Sequence, residues 1–173
     1  MPHEDRIAAA HEGGHVIVAH AEGWEIVEAS ILPNSAGGDG YALVRPRPSG
    51  NYVEYAPGAY MPARFRPKRC ALWPLLRVAL GGAAGVHRFD PLWTNWRSAG
   101  VEADMETAHD LVERCSIPTR KGPAILAARR AEADQILHRH GVAHDAVMRA
   151  LLDAFRNDEP LSAERLNAVL RLG

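Results

Sequence analysis

The sequence predicts one mainly α-helical domain carrying a small β-hairpin close to its first helix. Three observations lead there. The 173 residues are enough for a single hydrophobic core, and 47% of them are apolar. Most apolar positions fall in long runs that end at helix-stop residues. Two short β-rich runs flank a Gly-rich turn. The span 1–173 shows no internal repeat and no low-complexity tract, so it reads as one domain.

Glu4 to Glu22 reads as the first helix, with Ile7, Ala8, Ala10, Val16, Ile17, Val18 and Ala19 as its apolar body and Gly23 as its stop. Glu25 to Leu32 reads as a strand, residues 33–40 as a turn, and Tyr41 to Arg45 as a second strand. The stretch 46–67 carries Pro46, Pro48, Pro57, Pro62 and Pro67 and is expected to be an irregular loop. Lys68 to Phe89 reads as a second helix kinked at Pro74. After a loop holding Trp93 and Trp96 come helices over about Val101–Cys115, Pro123–His140 and Ala143–Asn157. Ser162 is a fair N-cap for a last helix ending near Leu172.

The formal net charge of −1 gives no global pull toward nucleic acid or a membrane surface. Basic and aromatic residues do alternate over 45–69, a pattern that could grip a nucleic acid, but a solvated loop is the simpler reading. Cys70 and Cys115 lie far apart and form neither a C-x-x-C motif nor a disulfide framework. The first residues lack the layout of a signal peptide, and no apolar run approaches the ~20 residues that span a bilayer. The expectation is a cytoplasmic protein.

His11-Glu12-Gly13-Gly14-His15 matches H-E-x-x-H. Residues i and i+4 share one helical face, so two imidazoles can hold one zinc ion. Glu12 then stands beside the metal, where it can take a proton from an activated water. A helix with two surface histidines and an exposed glutamate would carry the same letters, but Gly13 and Gly14 argue against it. Each costs about 1 kcal/mol relative to alanine in a helix interior and makes sense only where a neighbour packs closely.

A catalytic zinc usually has three protein ligands and one open position. The metzincin extension fails, because Val18 and Ala21 occupy its glycine and histidine positions. His20 falls on the opposite helical face. Glu25 and Glu28 lie in the predicted strand. Glu102, Asp104 and Glu106 remain, and residue type alone does not choose among them.

The stretch Ile7 to Ala19 resembles the active-site helix of the FtsH family of ATP-dependent zinc proteases. Glu28 to Pro33 followed by Gly40-Tyr41-Ala42-Leu43 is similar to that family's strand, loop and Gly-Tyr strand, and Leu80-Gly81-Gly82 to its Leu-Gly-Gly helix. Gly100 to Ala108 resembles the segment whose aspartate is the third zinc ligand. The resemblance therefore implies an FtsH peptidase-like fold, a zinc cofactor held by His11, His15 and Asp104, and Glu12 as the catalytic residue. It implies a zinc metalloendopeptidase acting on a peptide or unfolded protein substrate.

The chain departs from the family pattern at Gly13, usually alanine, and at Ala83 and Val86, usually arginine and glutamate. If that glutamate supports a zinc histidine, Asp90 is a candidate substitute. No G-x-x-x-x-G-K-[ST] phosphate loop occurs, so the expected peptidase acts without its own ATPase. A second copy of the chain or a separate unfoldase is a candidate partner. The alternative is a degenerate FtsH-like zinc-binding domain that serves as a regulatory or protein-interaction module.

Overall fold

The structure is a computed structural model that describes residues 1–33, 40–46, 69–94, 100–115 and 117–172. The turn at 34–39, all but the first residue of the Pro-rich stretch, and Trp96 lie outside them. Helix α1 (His3–Ala21) leads into β1 (Glu25–Ser30) and β2 (Tyr41–Arg45). Helices α2 (Arg69–Ala79), α3 (Gly81–Phe89), α4 (Val101–Arg114), α5 (Gly122–Arg139) and α6 (Gly141–Arg156) follow. Strand β3 (Leu161–Ser162) and α7 (Ala163–Leu172) complete the order. The described chain is thus mainly helical with one small antiparallel sheet, as the sequence predicts.

Helix α1 is the centre of the molecule. Asp5 and Glu4 sit in its first turn, where negative charge suits the helix dipole. From Ala9 to Ala19 every residue is buried, so it is a core helix rather than a surface one. It stops as expected at Gly23, whose φ of 73° is the left-handed conformation. The Gly23 amide donates to the His20 carbonyl and the Trp24 amide to that of Ala19, the double bond of a Schellman stop. Around α1 pack α3, α6 and both hairpin strands. Leu72, Leu76, Leu137, Leu151 and Leu166 close the surrounding core, each contributing about 1.5–3 kcal/mol through burial.

The hairpin forms in the predicted place, with Ala29 opposite Ala42 and a bulge between Ile26 and Glu28. Strand β3 is unanticipated and pairs with β1 at Glu28 and Ala29, giving the order β2-β1-β3. A two-residue strand leaves too little alternation to read from sequence.

The predicted single helix over Lys68–Phe89 is two helices. Pro74 lies inside α2 without ending it, and the division falls at Leu80 instead. Just past that division α1 comes close: Gly14 of α1 meets the Gly81 carbonyl and the Cα of Gly85 almost backbone to backbone. Gly141 opens α6 directly after α5. A short 3-10 turn, Thr119–Lys121, precedes α5. Arg77 of α2 joins three helices, donating to Glu22 at 2.5 and 3.1 Å and to Glu132 at 2.8 Å. No helix among the described residues is long and apolar enough to cross a membrane.

Candidate metal centre

His11 and His15 occupy successive turns of α1 and are 4% and 1% exposed. Asp104 reaches them from the first turn of α4 and is 6% exposed. The Nε2 atoms of the two imidazoles are 3.2 Å apart. Asp104 Oδ2 lies 3.2 Å from His11 Nε2 and 3.0 Å from His15 Nε2. Among the described residues this is the one histidine, cysteine or carboxylate group compact enough to hold a metal ion. Glu102 and Glu106, the other two candidates on that helix, are exposed. His20 is likewise exposed, and Glu28 accepts a hydrogen bond from Tyr41 on the sheet.

The donor set fits a small divalent metal. A tetrahedral ion with bonds of about 2.0–2.1 Å would place its ligand atoms about 3.3–3.4 Å apart. The observed triangle is within a few tenths of an ångström of that. Asp104 Oδ2 is buried and makes no hydrogen bond despite its two nitrogen neighbours. Three donor atoms converging on one point is the arrangement that an ion satisfies.

Backbone supplies the walls. A Cβ on Gly82 would stand 2.5 Å from His15 Nε2 and 2.6 Å from His11 Nε2. Gly100, with φ at 72°, lets α4 begin against the His11 ring, where a Cβ would come within 3.2 Å of Nε2. His15 is oriented from behind by its Nδ1, which donates to the Val78 carbonyl at 2.7 Å. His11 Nδ1 has no such partner among the described residues. Ala83 and Val86 are fully buried in an apolar cluster with Ile7 and Val101. Asp90 is not a substitute for the missing carboxylate. It faces His3 at 3.2 Å and caps the Leu92 amide.

Electrostatics follow from burial. Burial alone would raise the Asp104 carboxyl, but His15 and His11 outweigh it and hold the group at about 2. Burial alone would lower His15, yet Asp104, Glu12 and the Val78 carbonyl together lift it to about 9. Glu12 is 8% exposed and its carboxyl is raised, by burial first and against the pull of His11 and His15. Its Oε1 packs against the start of β2, where a Cβ on Gly40 would lie 3.0 Å away.

Trp93 packs on the cluster around Ile7 and Val101 and so covers core near the first turn of α1. His144, a residue to which the sequence gives no role, is fully buried against α1. No protein-family model matches the chain, and no curated protein matches it in sequence.

Proposed function

We propose that this chain is a zinc-dependent metalloendopeptidase of the FtsH peptidase-domain type. The observation that carries the proposal is the convergence of His11, His15 and Asp104 on one point with Glu12 buried beside them. Zinc suits two imidazoles and a carboxylate, and when bound it lowers the pKa of water from 15.7 toward about 7 and polarises a carbonyl. Glu12 accepts a proton at its carboxylate and returns it to the departing amine. Burial raises its affinity for a proton, the direction that suits a general base. His15 and Asp104 stay fixed while this happens, because the Val78 carbonyl and the first turn of α4 hold them. An extended peptide suits the edge of β2, which among the described residues pairs with β1 at one side and begins beside Glu12. A flexible or unfolded protein segment is therefore the substrate class.

A second reading is a binding module that keeps the metal without turnover. His11 Nδ1, without a hydrogen-bond partner among the described residues, favours it, because metal-binding histidines are normally oriented through their second ring nitrogen. Metal analysis together with cleavage of an unfolded casein substrate separates the two. Wild type is expected to bind zinc at one equivalent and to cleave. Glu12→Gln is expected to keep the zinc and lose turnover. Full zinc occupancy without cleavage of any unfolded substrate would sink the peptidase reading and leave the binding module.

A further inference from the structure

His144 of α6 is a fully buried ionisable group that the peptide-cleaving chemistry does not use. Its Nδ1 lies 2.9 Å from Arg88 Nη1, and a guanidinium can only donate. The proton therefore sits on Nε2, which donates to the Ala10 carbonyl at 3.0 Å. Arg88 is itself fixed, forking onto Asp145 at 2.6 and 3.1 Å. It also lies over Gly141, where a Cβ would come within 2.8 Å of Nη2.

Ala10 directly precedes His11. The helical ladder already assigns its carbonyl to the Gly14 amide, so the imidazole adds a second donor within the turn that joins the two candidate ligands. The same ring occupies the space beside Gly13. A Cβ there would be 3.3 Å from both Cδ2 and Nε2 of His144 and 3.5 Å from Met148 Cγ. Gly13 is the third position of H-E-x-x-H, where the resembled family usually has alanine.

We propose that His144 is a positioning residue for the His11–His15 pair, and that Gly13 and His144 act as one unit. The missing side chain at Gly13 admits the ring, and the ring fixes the turn of α1 from which both imidazoles project. This rests on the metal-centre reading above. It accounts for the motif's departure from alanine, which that reading leaves unexplained. It also gives the site an orienting bond from outside the histidines themselves.

The test uses the full chain and reads zinc affinity by competition with a chromophoric chelator. His144→Leu, which fills the space without a donor, is expected to weaken zinc about 10–100-fold, the range for losing an outer orienting group. His144→Gln, which can keep a donor near Nε2, is expected to stay within about threefold of wild type. Gly13→Ala is expected to weaken zinc about tenfold in wild type and to cost nothing in a His144→Ala background, a coupling that a merely structural role would not place in metal affinity. Nitrogen-15 NMR of wild type, which needs no variant to fold, is expected to show His144 as the neutral Nε2–H tautomer. Strictly additive effects, a His144→Leu chain with wild-type zinc affinity, or an Nδ1–H tautomer would overturn the inference while wild type still binds zinc. A wild type that binds no zinc would overturn the metal centre itself, and this inference with it.

Discussion

Gly82 and His15 meet where α3 crosses α1, so closely that a single methyl group on the glycine would stand 2.5 Å from the imidazole Nε2. The backbone of α3 is one wall of the candidate metal centre. Gly82→Ala is therefore expected to lose zinc affinity by about 100-fold or more, because the new carbon must displace a ligand nitrogen. The helix content should stay at its wild-type level. Zinc titration followed by circular dichroism on the same sample checks both. Unchanged affinity would mean that the two imidazoles do not hold the ion through Nε2.

Asp104 is the candidate ligand contributed from outside α1. Asp104→Ala is expected to weaken zinc by at least about 100-fold, more than the 10–100-fold typical of residues that only orient a ligand. Isothermal titration would measure it. If affinity did not move, the third donor would have to lie elsewhere.

Acid should loosen the fold through His144. Burial, aided by Arg88 and opposed by the Ala10 carbonyl and Asp145, lowers its pKa from 6.5 to about 4. The folded chain therefore binds this proton less readily than the unfolded chain does. The stability it supports is fully present above about pH 6.5, falls as pH drops through the window, and is gone below about pH 4. The loss is on the order of 3 kcal/mol. Urea midpoints between pH 7.5 and 4 should show this slope, and His144→Gln should flatten it. Equal slopes in the two proteins would assign the acid sensitivity to other groups.

Gly14 and Gly85 face each other across the α1–α3 crossing, the Cβ of either coming about as close to the other's Cα as 3.0–3.1 Å. Alanine usually stabilises a helix interior over glycine by about 1 kcal/mol. Here Gly14→Ala is expected to do the reverse, costing about 1–3 kcal/mol or more because the helices must separate. Calorimetry should register it as a fall of about 2–4 °C in Tm per kcal/mol. A raised Tm would show that the crossing has room to give.

Much of this was legible from short-range chemistry. Gly23 marks the end of α1 because only a left-handed residue closes a Schellman stop cheaply, and that requirement is local. His11, Glu12 and His15 could be read as one face because helical spacing alone sets it. Asp104 was different: Glu102, Asp104 and Glu106 are equal by residue type, and only the resemblance to a known family selected the one that packing buries. The division at Leu80 is not legible because Pro74 is the louder local signal, and the close approach of α1 at Gly81 and Gly85 comes from far away in sequence. His144 was silent for the same reason. A histidine in a helix looks like any other until Arg88 and Ala10 are folded onto its two nitrogens.

His15 and Asp104 are about ninety residues apart along the chain, and an ion shared between them closes that whole length into a ring. Closing a long loop removes more freedom from the unfolded chain than closing a short one, so the gain to the native state is correspondingly large. Such an ion acts as a clasp, and α4 cannot peel from α1 until it is released. A chelator would then do more than silence chemistry: it would shorten the lifetime of the folded chain in the presence of other proteases. The supply of metal would then govern how long the folded chain persists.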